Sequence, residues 1–353
     1  MAGLPDINVH EERKHRILIN GFGRVGRALF RILTLSQHLE ISHINDPLPP
    51  EQIAYLLKYD SVMNRFFTEI HVEGDTLYVG NRAITLTHSE NLGAAEIKAS
   101  GAEIVVNSSG RNNDRKALEA LIKAGAKRVV VSKPLASGIC DRTVMMGVNN
   151  TDLRATDRIV SAGSCTAHCY APLIKMLAPQ FGGLRRGYMM TVHAYTSGQN
   201  IVDGGHSSDP RRGRAAAHNI VPTTTESLIS FEQVMPEFAG KLVGMAQRVP
   251  VVNGSNVELI LELERAATRE EINDHVRALS EHHYARIVEY TEDPIVSSDI
   301  IGNPHSCVFD SQLTHVHGGK GNLARLIGWY DNEWGYANRL AELLELCAIR
   351  GVK

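Results

Sequence analysis

The segment Ile19-Asn20-Gly21-Phe22-Gly23-Arg24-Val25-Gly26-Arg27 constrains the fold of this chain more than any other. A short apolar run, Arg16 to Asn20, precedes it, and a stretch from Arg27 to Ser36 follows with Leu29, Phe30, Ile32 and Leu33 at helical spacing. Gly21, Gly23 and Gly26 stand where a strand-to-helix turn must curl tightly, admit a pyrophosphate to its backbone, and pack a helix against a sheet. The spacing alone is weak evidence, but the strand before and the helix after supply its context. So does Asp46, which closes a second strand over Ile41 to Asn45. A carboxylate there accepts hydrogen bonds from both ribose hydroxyls of an adenosine and repels a ribose phosphate, so the expected cofactor is NAD rather than NADP.

Pro47, Pro49 and Pro50 delay the next helix to Glu51–Lys58, as a parallel crossover requires. Strands at Glu103–Asn107 and Val129–Ser132 flank a helical stretch from Asp114 to Ala124, so the first part reads as a doubly wound α/β domain. Beyond Cys165 the runs become more β-rich, at Gly187–His193, Gly244–Val252 and Asn256–Glu264, which places a second domain there. The final segment, Glu333–Cys347, is amphipathic, with Leu340, Leu343, Leu344 and Cys347 on one face, and needs a core to dock on. A chain of 353 residues, 43% hydrophobic, is long enough for both cores.

Net charge is −2, with 37 basic and 39 acidic residues, which gives no electrostatic reason to expect nucleic acid or an anionic membrane as partner. Five cysteines, an odd number without a dense framework, point to free thiols and a cytoplasmic location. The first 15 residues are polar, hold no apolar signal core, and read as a flexible leader. The histidines at His282-His283 and His315-Val316-His317 fall in expected loops and helix ends, and no Cys/His set has zinc-ligand spacing, so no metal is expected.

The chemistry concentrates in Ser161-Ala-Gly-Ser164-Cys165-Thr166-Ala-His168-Cys169 and in Thr191-Val-His193-Ala-Tyr-Thr196. A cysteine that opens a helix feels the positive end of the helix dipole, and a nearby imidazolium is expected to lower its pKa further. Such a thiolate adds to an aldehyde carbon, and the tetrahedral adduct can expel hydride where the free aldehyde cannot. His193 is the expected base, and hydroxyls at a helix start suit an attacking phosphate.

These segments, with Ile44-Asn-Asp-Pro47, Tyr59-Asp-Ser61, Gly125–Ser132, Arg248-Val-Pro250 and Trp329-Tyr-Asp-Asn-Glu333, resemble the glyceraldehyde-3-phosphate dehydrogenase family from about Arg16 to the C-terminus. The resemblance implies a Rossmann-type doubly wound parallel sheet over 16–164, completed by a C-terminal helix at 333–353, and a second α+β catalytic domain over 165–332. It also implies a homotetramer, with the basic run Pro210-Arg-Arg-Gly-Arg214 in a subunit-contact loop. Cys165 falls on the family's nucleophile and His193 on its base. Gly21, Gly23, Arg24, Val25, Gly26, Asp46, Ser132 and Asn332 fall on NAD contacts, and Ser164, Thr166, Thr196, Thr225 and Arg248 on phosphate-binding positions. The implied reaction is NAD-dependent oxidation of glyceraldehyde 3-phosphate, with inorganic phosphate as the second substrate and an acyl phosphate as product.

The chain departs from the family pattern near the anion sites. Glu226 stands where a glycine is usual, Gly198 where a hydroxyl or carboxylate is common, His168 in place of asparagine, and Ile229 where lysine is common, so weaker phosphate binding is expected. An erythrose-4-phosphate dehydrogenase releasing acid by hydrolysis is the neighbouring alternative. A thiol hydrolase would have no use for the glycine turn and Asp46. A non-catalytic, redox-sensing NAD-binding protein would use the same thiol, and aldehyde-dependent NADH absorbance separates it.

Overall fold

The computed structural model describes residues 14–350, so most of the predicted leader lies outside the described residues. The chain divides into two compact units, one running from Ser164 to Tyr336 and the other formed by the chain up to Gly163 together with the residues from Ala337 onward.

The unit that begins the chain holds a nine-stranded sheet. Its strands are β1 (His15–Asn20), β2 (Leu39–Asn45), β3 (Ile70–Glu73), β4 (Thr76–Val79), β5 (Arg82–Thr87), β6 (Ile104–Asn107), β7 (Arg128–Val131), β8 (Arg142–Thr143) and β9 (Ile159–Ser161), in the order β3-β4-β5-β2-β1-β6-β7-β9-β8. From β5 to β8 every pairing is parallel, and the β3-β4-β5 meander adds an antiparallel edge. Strands β6 and β7, Ile-Val-Val-Asn and Arg-Val-Val-Val, are buried at every residue, as parallel strands covered on both faces must be. The crossover helices are α1 (Arg24–Leu33), α2 (Pro50–Lys58), α3 (Ala94–Ser100) and α4 (Arg115–Lys123). Asp114 caps α4 by accepting from Ala117 N–H, and Leu118 and Leu121 carry α4 into a core with Leu18, Val105, Val129 and Ile159.

Helix α1 starts at Arg24, not at Arg27 as the sequence suggested. Gly21 alone makes the reversal, at φ +93°, and by Gly23 the backbone is extended and ready to enter the helix. Gly26 therefore lies inside the first turn, where a Cβ would sit 2.4 Å from Gly21 O.

The unit from Ser164 onward contains β10 (Leu184–Ala194), β11 (Val221–Thr223), β12 (Leu242–Val249), β13 (Ser255–Thr268), β14 (Val288–Thr291), β15 (Cys307–Asp310), β16 (His315–Val316) and β17 (Lys320–Tyr330). They form one mixed sheet, β11-β12-β10-β13-β17-β15-β14, with β16 on β17. His315 is thus in a short strand rather than a loop. On β13, Val257, Leu259, Leu261 and Leu263 point into the core while Glu258, Ile260 and Glu262 alternate outward, so this sheet has one covered face and one open face. Helix α5 (Cys165–Gln180) and helix α7 (Arg269–Ser280) pack on the sheet, and α6 (Ser227–Val234) packs on α5. Helix α8 (Trp334–Ile349), which from Ala337 onward belongs to the first-described unit, buries the predicted face of Leu340, Leu343, Leu344 and Cys347.

Candidate active site

Cys165 is the first residue of α5, directly after the extended N-cap Ser164, so its thiol sits at the helix's positive end. Ser164 makes no side-chain cap bond. Its carbonyl accepts both from His168 N–H and from His168 Nδ1, each at 3.0 Å. The imidazole of His168 thus braces the peptide that leads into Cys165, a consequence of the departure at that position.

His193, on β10, brings Nε2 to 3.7 Å from Cys165 Sγ. Arg248, on β12, is placed beside it by strand register, since His193 and Arg248 are cross-strand partners. Arg248 Nη1 lies 2.5 Å from His193 Nδ1 and donates to Ala194 O at 3.0 Å, while Nδ1 itself lies 2.7 Å from the same carbonyl. A guanidinium only donates, so Nδ1 carries its proton toward Ala194 O in one neutral tautomer and accepts from Arg248 in the other. In the first, the Nε2 lone pair faces sulfur and can take a proton from it.

The ring is not the imidazolium that the sequence leads one to expect. Burial and then the charge of Arg248 push the pKa of His193 down to about 3. Burial also raises the Cys165 thiol, against the charge of Arg248 and the backbone N–H of Thr166. Burial thus favours a neutral imidazole beside the thiol, and Arg248 supplies the local positive charge.

Tyr330, to which the sequence reading assigned no role, ties the site together. Its hydroxyl lies 2.8 Å from Thr166 Oγ1 and 2.9 Å from Thr191 Oγ1, and Thr191 donates onward to Asn256 O at 2.9 Å. With the Thr191 hydrogen so used, Tyr330 must donate to Thr191 and Thr166 to Tyr330. Thr166 Oγ1, 4.0 Å from Cys165 Sγ, is left as an acceptor at the sulfur, which favours the thiol.

Arg212 was also missed, because it lies in the basic run read as a subunit contact. It lies in a short 3-10 turn, Pro210–Gly213, with Nη2 2.9 Å from where a Cβ on Gly198 would stand. Gly198 is therefore matched to an arginine rather than merely lacking a side chain. The Nε atoms of Arg212 and Arg248 are both buried with no hydrogen-bond partner among the described residues. The two guanidiniums lie close enough for the charge of Arg212 to act on Arg248, and their unused donors suit a phosphate or carboxylate oxygen. Thr196 lies in the same loop as Gly198, its N–H donating to Gln199 Oε1 at 3.4 Å. Thr225 instead holds the start of α6, bonding Ser227 Oγ at 2.9 Å and accepting from Ser227 N–H at 3.2 Å. Glu226 is exposed at the N-cap of α6, and Ile229 is exposed on that helix. Asn332 accepts from Ser255 Oγ at 2.9 Å, and Ser255 Oγ accepts from Ala194 N–H at 3.1 Å, which links Asn332 to the His193 strand.

In the other unit the glycine turn passes a direct test of fit to a dinucleotide. A Cβ on Gly21 would sit 2.4 Å from the Ser109 backbone, so Gly21 fixes the curl, whereas Gly23 has nothing within 4 Å and opens to solvent. Asp46 accepts from Phe22 N–H at 2.7 Å and from Leu48 N–H at 3.0 Å, one at each carboxylate oxygen. Each oxygen keeps a second lone pair for a ribose hydroxyl. Arg24, at the first turn of α1, pairs with buried Asp60. Burial alone would raise Asp60, but Arg24 and the Met63 and Val62 N–H groups hold its carboxyl below the usual range. Val25 is half-buried beside Arg24, and Ser132 follows β7 with its N–H on Asn107 O at 3.1 Å. Among the described residues, no group of three or more His, Cys, Asp or Glu side chains could hold a metal ion.

The family model "Glyceraldehyde 3-phosphate dehydrogenase, NAD binding domain" matches residues 15–115, and "Glyceraldehyde 3-phosphate dehydrogenase, C-terminal domain" matches 164–332. A glyceraldehyde-3-phosphate dehydrogenase of Kitasatospora aureofaciens is 46% identical over 341 residues, 95% of this chain and 99% of that protein. The chain belongs to the glyceraldehyde-3-phosphate dehydrogenase family. Family members from Mycobacterium avium and Priestia megaterium are 43% and 40% identical, over 94% and 96% of this chain and 98% and 99% of their own length. The family's NAD-binding domain is the part that carries the glycine turn and Asp46.

Proposed function

We propose that the chain catalyses NAD-dependent, phosphorylating oxidation of glyceraldehyde 3-phosphate. The observation that carries this reading is the Cys165 thiol at the start of α5, 3.7 Å from His193 Nε2, with Arg248 against the far side of the ring. As Sγ adds to the aldehyde carbon, Nε2 takes the thiol proton, and the carbonyl oxygen of the new hemithioacetal takes a proton back from the ring. His193 then holds the hydroxyl proton as the carbon gives up hydride. NAD, when bound, supplies the hydride acceptor. The resulting thioester on Cys165 is opened by inorganic phosphate, which regenerates the thiol and leaves an acyl phosphate.

Arg248 and Arg212 are the cations for the anionic groups, with the Ser164 and Thr196 hydroxyls as donors and those of Thr166 and Thr225 joining when they turn from Tyr330 and Ser227. Gly21, Gly23, Arg24, Val25, Gly26, Asp46, Ser132 and Asn332 hold the dinucleotide. A family-type division at 164/165 and 332/333 is part of the reading, as is a cytoplasmic location suggested by five free thiols. We also include a homotetramer, supported by the apolar row Val243, Tyr188 and Ile260 exposed in register on the open sheet face.

NADH absorbance with glyceraldehyde 3-phosphate, with and without phosphate, tests the reaction; Cys165→Ser is expected to abolish it. Phosphate-independent release of acid, or faster turnover of erythrose 4-phosphate, would overturn it. The relatives' names do not favour that alternative. Glu226 weakens phosphate binding only modestly, because it is exposed and even at about 4 Å a like charge in water costs only roughly 1 kcal/mol. Glu226→Gly is expected to lower the KM for phosphate by up to about fivefold, and equal KM values would remove that role.

A further inference from the structure

Four neighbouring strands of the nine-stranded sheet finish on one line. Thr87, Asn45, Asn20 and Asn107 are the last residues of β5, β2, β1 and β6, which lie side by side in that order. They are also cross-strand partners: Asn45 with Thr87, Asn20 with Asn45, and Asn20 with Asn107. Partners in register on parallel strands project to the same face, so their polar side chains form a row.

The row is bonded throughout in one direction. Thr87 Oγ1 donates to Asn45 Oδ1 at 2.8 Å, and Asn45 Nδ2 donates to Asn20 Oδ1 at 2.8 Å. Asn20 Nδ2 donates to Asn107 Oδ1 at 3.0 Å, and Asn107 Nδ2 donates to Asn113 Oδ1 at 3.0 Å. At the head, with the Thr87 hydrogen already used, His43 Nε2 at 3.0 Å is the donor to Thr87 Oγ1. The asparagines are 8%, 2% and 2% exposed at positions 20, 45 and 107. Burying three primary amides is costly unless they are satisfied, and apolar side chains would fill the space at no such cost. The row therefore has a use beyond packing.

The backbone supplies that use. Asp46 N–H donates to Thr87 O at 2.9 Å, Gly21 N–H to Asn45 O at 2.8 Å, Ser108 N–H to Asn20 O at 2.8 Å, and Ser132 N–H to Asn107 O at 3.1 Å. The four donors are the first residues beyond β2, β1, β6 and β7. Each residue of the row therefore holds a neighbouring strand's exit by its carbonyl while its side chain is locked sideways.

We propose that Asn20, Asn45, Asn107 and Thr87 are positioning residues for the dinucleotide, setting the height at which four loops leave the sheet and hence the spacing of Gly21, Asp46 and Ser132 around it. This rests on the NAD reading above. The row acts through the loops, so loosening it weakens cofactor affinity and leaves the chemistry at Cys165 unchanged once NAD is saturating. Breaking two links interrupts the same row, so their effects do not add.

Calorimetric titration of NAD into the full-length protein tests this, with kcat measured at saturating NAD. Wild-type affinity is read first, since a wild-type chain that does not bind NAD overturns the proposed function itself. Given wild-type binding, Asn20→Ala is expected to raise Kd about tenfold or more, with kcat within about twofold of wild type. The Asn20→Ala/Asn107→Ala double variant should stay within about twofold of the weaker single. Thr87→Val should raise Kd about threefold, and Thr87→Ser, which keeps the hydroxyl, should restore it. Unchanged Kd in folded Asn20→Ala, additive losses, or a fall in kcat matching the rise in Kd would overturn the proposal. Should Asn20→Ala not fold, equal Kd values for Thr87→Val and Thr87→Ser would overturn it alone.

Discussion

A buried imidazole beside an arginine makes the stability of this chain sensitive to acid. Unfolded, His193 titrates near its ordinary value of about 6.5; folded, burial and Arg248 hold it to about 3. Between those values the unfolded state binds a proton that the folded state does not, so stability is complete above about pH 6.5 and drains as pH falls, by up to roughly 1.4 kcal/mol per unit. Denaturant unfolding at pH 7 and pH 5 should differ by about 2 kcal/mol more in wild type than in His193→Gln. Equal differences would mean the ring is not held neutral. Tyr330→Phe tests the hydroxyl chain beside the sulfur. It should cost about 1–3 kcal/mol of stability and free the Thr166 hydrogen to donate to the thiolate, shifting the pH profile of Cys165 alkylation downward. An unshifted profile would show that Thr166 already donates to sulfur. Cys165 and His193 were readable because each carries a local motif, a helix start and a strand segment. Tyr330 and Arg212 were not, because what they touch comes from distant strands and a loop.

At the level of elements, the glycine turn separates two functions that one motif combines. Gly21→Ala puts a methyl 2.4 Å from the Ser109 backbone at φ +93°, so it should lower the melting temperature sharply or prevent folding. Gly23→Ala meets nothing within 4 Å and should melt like wild type while weakening NAD binding, because its methyl enters the space we assign to the pyrophosphate. Thermal melts with NAD titration check both, and a stable Gly21→Ala would show that the loop can relax. The sequence indicated strand, turn and helix here but started the helix one turn late, since spacing cannot tell which glycine reverses the chain. The Asp331 cap of α8 was likewise hidden. Its carboxylate takes Glu333 and Trp334 N–H at 2.8 Å, together with Gly302 N–H from a distant loop.

Over the whole molecule, the alternation of strands and helices was enough to expect a parallel, doubly wound sheet followed by a β-rich domain. The order of the second sheet was not readable, because its pairings join segments far apart in sequence. That sheet carries the row Val243, Tyr188 and Ile260 on its open face, ending at Arg325. Tyr188→Glu should reduce the particle mass seen by light scattering without unfolding the chain, if copies associate through this face. An unchanged mass would direct the search to another surface. The common finishing line of β5, β2, β1 and β6 also bears on how such a chain can change. Deleting one residue from any of these strands would retract its exit by about 3.3 Å and turn its side chains to the opposite face. Their lengths are thus tied together, and insertions are tolerated only farther out, where the connecting segments have cleared the sheet.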